Sequence, residues 1–257
     1  MQRLRQALGA YASRFDVDIL PECPSTNALL LERAAQGAPS GSVLVAERQT
    51  AGRGRRGRVW ISRPEDSLTF SLLWRWRKDA RLAGLSLAVG LALHRALHGL
   101  GARDLGLKWP NDLLYCGAGG AAKLAGILIE LASDTRGVAS VIGVGINLFA
   151  PQVPEQATAG LVDCCAETPS RDILLAALLT ELARHLDLFA HAGFAALRAD
   201  WQLRHVWQDK NVRLHEDSRI VEGICRGVDD DGALLLATAD GLERFWAGDV
   251  SLRAGAA

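Results

Sequence analysis

The chain has 257 residues, with 29 Lys and Arg balanced by 29 Asp and Glu, and is 49% hydrophobic and 23% charged. This composition excludes a disordered chain, and the zero formal charge argues against a protein that coats nucleic acid by uniform basicity. The five cysteines (Cys23, Cys116, Cys164, Cys165 and Cys225) are odd in number and include no C-x-x-C pair, which argues against both a disulfide framework and a zinc site.

Residues 1–18 lack a continuous apolar segment and read as an amphipathic helix rather than a signal peptide. Ser25-Thr26-Asn27 supplies cap residues for a short predicted helix over 28–36, which Gly37 ends. Residues 42–49 and 68–76 have the length and the β-branched or aromatic content of strands, and they flank a glycine–arginine loop. A core helix is predicted over 82–100, followed by three buried-looking strands over 105–115, 123–132 and 139–148. The near-apolar run 82–93 is too short to span a bilayer, so a cytoplasmic protein with no membrane contact is expected.

Pro151, Pro154 and Gly160 mark a loop, after which leucines and alanines at helical spacing predict a long helix over 171–190 and a second from 194 to about 204. From Asn211 the texture changes to short strands, with Asp229-Asp230-Asp231-Gly232 and Ala239-Asp240-Gly241 as hairpin turns. The expected fold class is α+β: a central mixed β-sheet with flanking helices, plus a small C-terminal β-barrel. The expected division is 1–207 and 208–257.

Charge is distributed unevenly. Residues 48–81 hold ten basic and three acidic side chains, whereas 216–249 hold three basic and nine acidic. At the centre of the basic stretch stands Gly52-Arg53-Gly54-Arg55-Arg56-Gly57-Arg58, a literal G-x-G-x-x-G. A dinucleotide fingerprint must open into a helix, yet a strand follows here, and the kinase elements H-R-D and D-F-G are missing. Two readings remain. One is a solvated loop touching nucleic-acid phosphates; the other is a loop whose main-chain N–H groups and guanidinium forks gather a small anion, mobile until the anion arrives.

Other segments carry chemistry beside an ordinary structural alternative. Lys108-Trp109-Pro110-Asn111-Asp112 is either a strand-ending turn with a Lys–Asp pair or a site at a strand end. Lys123 opens an apolar strand, either solvated or facing a ligand, and Gly143-Val144-Gly145-Ile146-Asn147 is either a bulge and turn or a close approach ending in an amide that reads a ligand. Six histidines show no metal spacing, and the vicinal Cys164-Cys165 pair reads as inert.

In this order, STN, RQTAGRGRRGRVW, KWPND, KLAGILIE and GVGIN resemble the catalytic domain of bacterial biotin protein ligases, and GICRGVDDDGALLL with GDVSLR resembles that family's C-terminal Src-homology-3-like barrel. The resemblance implies activation of biotin with Mg-ATP to biotinyl-5'-AMP, and transfer of the biotin to a lysine of a biotin carboxyl carrier protein, such as an acetyl-CoA carboxylase subunit. It implies that Ser25, Thr26, Asn27 and Gln49 border biotin and that Arg53, Gly54 and Arg55 fold over it. Lys123 would lie at the biotin carboxylate and α-phosphate. Arg55, Arg56, Arg58, Trp60, Lys108, Asn111 and Asn147 would meet the nucleotide, with Trp60 covering adenine and Asp112 orienting a lysine or holding Mg²⁺.

By the same resemblance, Lys123, Arg53 and Asp112 would be the catalytic set and a homodimer is one possible state. Two features depart from the family pattern: a glycine-rich, insertion-like loop over 116–122, and Asp209-Lys210-Asn211 where a glycine is common. Only about two dozen residues precede Ser25, fewer than a winged-helix domain needs, so a monofunctional ligase without specific DNA binding is expected. A lipoate-type ligase and a non-catalytic nucleic-acid-binding module are the alternatives.

Overall fold

The structure, a computed structural model, describes residues 1–134, 137–154, 156–216, 219–247 and 250–254. Gly248 and Asp249 of the GDVSLR segment lie outside the described residues. Seven strands form one sheet in the order β1-β2-β3-β7-β6-β5-β4, with β1 Asp16–Cys23, β2 Ser42–Gln49, β3 Ser67–Trp76, β4 Leu105–Lys108, β5 Asp112–Gly117, β6 Gly120–Asp134 and β7 Gly137–Asn147. The β1–β2 pair is parallel and the others antiparallel, so the sheet is mixed as expected.

Strand alternation sorts the sheet into two unlike faces. On β3, Leu68, Phe70, Leu72 and Trp74 enter the main core with β7 residues Ile142, Val144 and Ile146. The helices α1 Gln2–Leu8, α3 Leu85–Gly99, α4 Arg171–Ala192 and α5 Ala195–Gln202 contribute to that core. The α3 helix is apolar on nearly every side, the pattern of a helix enclosed by protein. The intervening positions Ser67, Thr69, Ser71 and Leu73 face the other way, where Leu30 and Ala34 of α2 Thr26–Ala35 pack on Leu73, Ala139 and Val141. Away from α2, this second face carries small and polar side chains in place of a core.

Three expectations for the larger sheet and its helices need correction. The N-terminal helix ends at Leu8, and residues 16–18 already belong to β1, an edge strand in which Pro21 is tolerated because only one side is paired. The single strand expected over 105–115 is a hairpin of β4 and β5 turning at Trp109–Pro110, whose carbonyl accepts from Ser86 Oγ at 2.9 Å. The stretch 116–122 is the tip of the β5–β6 hairpin rather than an inserted loop, with Gly117 opposite Gly120 and Cys116 opposite Ala121.

The C-terminal strands β8 Asn211–Glu216, β9 Arg219–Val228, β10 Leu234–Thr238, β11 Gly241–Phe245 and β12 Val250–Ala254 make a second, antiparallel sheet in the order β11-β10-β9-β8-β12. Among the described residues β11 and β12 do not pair, so the expected barrel is an open sheet. It docks on the larger unit through the fully buried Trp109, whose Nε1 donates to the Gly232 carbonyl at 3.1 Å, and through an Arg198–Asp230 ion pair at 2.9 Å.

Candidate active site

The small-residue face of the large sheet is the floor of a cleft. Gly126 on β6 stands opposite Gly145 on β7, and Gly143 stands between Ser71 and Leu128. These glycines leave room for side chains arriving from above: a Cβ at Gly145 would lie 2.3 Å from the Trp60 ring, and one at Gly143 would lie 2.3 Å from Asn27 Oδ1. Trp60 is therefore seated on the sheet itself, with its Nε1 donating to Thr69 Oγ1 at 3.3 Å.

At one end of the floor, the start of α2 builds a buried polar network. Ser25 caps the helix, accepting from Ala28 N at 3.5 Å. Gln49 Oε1 accepts from Thr26 N at 2.7 Å, and Ser71 Oγ lies 2.7 Å from Thr26 Oγ1 and 2.6 Å from Asn27 Oδ1. The Asn27 amide donates to Glu130 Oε2 at 2.9 Å, and Glu130 also pairs with Arg53 at 3.1 Å.

At the other end, three charges meet. Lys123 Nζ is 2.7 Å from Asp112 Oδ1, and Lys108 Nζ is 3.6 Å from Asp112 Oδ2. A register shift in the β5–β6 ladder makes this possible. Leu113 pairs with Ala125 and Leu114 with Lys123, leaving Leu124 as an extra residue. Lys123 and Gly126 are an odd number of positions apart and regular alternation would part them, yet the Lys123 ammonium reaches within 3.2 Å of where a Cβ at Gly126 would stand.

Burial works against the charge on Asp112, but Lys123, Lys108 and Arg55 overcome it and hold the carboxyl below its usual range. Burial pushes the Lys108 ammonium below its usual value, opposed by Asp112 and reinforced by Lys123 and Arg58. The Lys108 ammonium also lies 5.2 Å from the Trp207 ring centroid, a cation–π contact that a desolvated lysine can use.

The arginine loop arches over this floor as a small hairpin. Arg53 bridges to Val59, Gly54 N donates to the Arg58 carbonyl at 2.7 Å, and the turn uses left-handed backbone at Arg56 and Gly57. Arg55 donates to Asn111 Oδ1 at 3.2 Å and to the Ala247 carbonyl at 2.9 Å, linking the loop to both sheets. Asn111 Nδ2 donates to the Ile127 carbonyl at 2.8 Å. Asn147 is buried, and its Nδ2 lies within 3.2 Å of the Lys123 carbonyl and 3.1 Å of the Ala159 carbonyl, so it braces the backbone that carries Lys123.

All fifteen residues singled out from the sequence line this one cleft, which holds about 1190 Å³ when the space open to solvent is counted. That is ample for two small reactants side by side. Sequence reading missed Glu130, Ser71 and Thr69. Glu130 lay inside a quoted motif without a partner to mark it, and the only signal for the two hydroxyls was their alternation with Leu68, Phe70 and Leu72.

A cleft that gathers lysines and arginines above a glycine floor, beside a polar pocket, defines an enzyme that brings anionic small molecules together. Comparison with known proteins specifies which. Residues 20–147 match the Biotin/lipoate A/B protein ligase family, and residues 209–253 match the Biotin protein ligase C terminal domain.

The chain is 39% identical over 244 residues to the bifunctional ligase/repressor BirA of Salmonella typhimurium, covering 93% of this chain and 74% of that protein. It is 36% identical to the biotin--[acetyl-CoA-carboxylase] ligase of Mycobacterium tuberculosis, covering 95% and 92%. The structure of the Aquifex aeolicus biotin protein ligase in complex with biotin and ATP is similar at a TM-score of 0.81 and 29% identity, covering 93% of this chain and 99% of that one. The chain belongs to the biotin protein ligase family.

Proposed function

We propose that the protein is a biotin--protein ligase that joins biotin to ATP as biotinyl-5'-AMP and then passes the biotin to a lysine of a biotin carboxyl carrier protein. The observation that carries this reading is the convergence of Lys123, Lys108 and the arginine loop on one end of a floor whose other end is a hydrogen-bonding pocket. In the first step a biotin carboxylate oxygen bonds to the α-phosphorus of ATP and pyrophosphate leaves. Two anions must approach, so fixed cations aimed at the developing charge lower the barrier, and Lys123 and the arginines fill that role. In the second step the carrier amine attacks the biotinyl carbonyl carbon, the bond to AMP breaks and the amine loses a proton.

Asp112 serves here as the carboxylate that orients the two lysines; its low affinity for protons suits that task. It is poorly placed for a metal, because both oxygens face ammonium groups, and no group of three His, Cys, Asp or Glu side chains converges among the described residues. Mg²⁺ therefore belongs with the ATP phosphates, the usual way this ion enters such sites. Ser25, Thr26, Asn27 and Gln49 read the biotin head. Gly54, Arg55, Arg56 and Arg58 close over the reacting groups, and Trp60, Asn111 and Asn147 serve the nucleotide.

The same reading places the division of the chain at 207/208, supported by the pairing of β8 to β12, among the described residues, with one another in a separate sheet. It also places the protein in the cytoplasm as a possible homodimer without sequence-selective DNA binding, to be checked by fractionation, light scattering and gel shift. Among the described residues no helix is long and apolar enough to cross a membrane. The decisive experiment is ATP–pyrophosphate exchange with biotin, with lipoate as the control. Biotin-dependent exchange is expected, and exchange that responds equally to lipoate, or to neither acid, overturns the assignment.

A further inference from the structure

We propose that Glu130 is a positioning residue for biotin recognition, setting the hydrogen-bond direction of the pocket and coupling it to the arginine lid; this rests on the function proposed above. Glu130 lies on β6 beyond Gly126, where the pairing with β5 ends, and faces the same side of the sheet as Gly126 and Leu128. One carboxylate thus meets both a pocket residue, Asn27, and a lid residue, Arg53.

The direction follows from donor and acceptor chemistry. An ionised carboxylate only accepts, so Asn27 must turn its NH₂ group to Glu130 Oε2 and, at 3.2 Å, to the Leu128 carbonyl. Asn27 Oδ1 is then left facing Ser71 Oγ at 2.6 Å, which obliges Ser71 to donate its only proton there. The Thr26 hydroxyl lies 2.7 Å from Ser71 Oγ and 3.1 Å from Gln49 Oε1; with the Ser71 proton committed to Asn27, Thr26 receives none from Ser71 and gives its own to one of these two oxygens. Donors therefore run one way, from Ser71 through Asn27 to Glu130, and the lone pairs of Thr26 Oγ1 stay available to accept.

Gln49 is oriented by the same start of α2. Its Oε1 is taken by Thr26 N, so Nε2 points away as a donor, next to Gly52 at the base of the lid. An acceptor beside a donor complements a cyclic urea, which presents N–H and C=O side by side. Arg53 Nη2 reaches both oxygens of the same Glu130 carboxylate, at 3.1 and 3.2 Å, so the order of the pocket and the closure of the lid share one anchor.

The test uses the full-length enzyme, after biotin-dependent exchange by the wild type has established the parent reading. Glu130→Ala removes the contacts to both Asn27 and Arg53. Glu130→Gln keeps an oxygen for Asn27 but sets an amide against Arg53. The expected result is a KM for biotin raised about tenfold or more in Glu130→Ala and less in Glu130→Gln, because a hydrogen bond to a charged group is worth about that factor.

The KM for ATP, which the lid also meets, should rise several-fold less than that for biotin. Limited trypsin digestion at Arg53 to Arg58 should be faster in both variants than in the wild type. Should Glu130→Ala fail to fold, Glu130→Gln alone carries the test through its biotin KM and its digestion rate. A biotin KM within about twofold of wild type in the folded variants, or equal rises for biotin and ATP, overturns the proposal while leaving the ligase assignment intact.

Discussion

The ammonium of Lys123 stands 2.7 Å from Asp112 Oδ1, although regular strand alternation would not set Lys123 on the face of its strand-mate Gly126. The extra residue at Leu124 aims the lysine into the cleft, where it is held by a carboxylate. Replacing it with alanine removes a preorganised cation from the reacting end. Biotin-dependent pyrophosphate exchange by Lys123→Ala is expected to fall about 10²–10³-fold. Circular dichroism should show the fold retained, and a loss under about threefold would mean that the lysine serves the ion pair alone.

Asp112 is enclosed by two ammonium groups, so Asp112→Asn leaves like charges facing each other in a desolvated site. The expected cost is about 3–5 kcal/mol at neutral pH, read by urea denaturation. The folded carboxyl loses its proton more readily than the unfolded one, so its contribution is full above the ordinary value of 3.8 and fades as pH falls through the lower folded value. The gap between wild type and variant should accordingly shrink in strong acid. A gap that stays constant with pH would exclude the ion pair as its source.

The arginine hairpin is held by the Arg53–Val59 bridge, a few main-chain bonds and the side-chain contacts of Arg53 to Glu130 and of Arg55 to Asn111 and the Ala247 carbonyl, and its tip uses left-handed backbone. Ordering each residue costs about 1–2 kcal/mol, which charge-assisted bonds to phosphate and carboxylate can offset. Trypsin is expected to nick the chain between Arg53 and Arg58 early in the free protein and slowly with biotin and ATP bound. Equal rates in the two states would mean that the loop is not a ligand-ordered lid.

His205 is buried against Trp201, with ring centroids 4.7 Å apart, and among the described residues its Nε2 has no partner. Burial lowers its pKa from 6.5 to about 3, with Lys210 adding to the effect, and burial lowers that of His94 to about 4. Between these values and 6.5 the unfolded chain binds protons that the folded chain does not, so stability rises with pH across that window. Each histidine contributes a slope of about 1.4 kcal/mol per pH unit. Phenylalanine keeps a ring beside Trp201 without a titrating nitrogen. His205→Phe should therefore lower the slope of stability against pH between about 6 and 4 by close to one proton. An unchanged slope would show that His205 takes up its proton in the folded state.

Much of the site was legible in the sequence because its chemistry is local. STN, the arginine loop, KWPND, the strand opened by Lys123 and GVGIN are short strings, and every residue drawn from them lines the same cleft. Strands β2, β3, β6 and β7 were legible through length and side-chain type. Strand β1 was not, because an edge strand buries little and its Asp16–Cys23 sequence, proline included, lacks a core pattern.

The partnership of Glu130 with Asn27 and Arg53 spans 103 and 77 positions of chain, and Ser71 meets Asn27 across 44. No periodicity records such pairings. The bulge at Leu124 is likewise absent from the string KLAGILIE, which reads as an unbroken strand. Sequence by itself determined which reactive groups the cleft contains, since residue types and turn chemistry are written locally. Only the tertiary structure decided which way those groups point, because a one-residue change in the register between distant strands exchanges the two faces of a sheet.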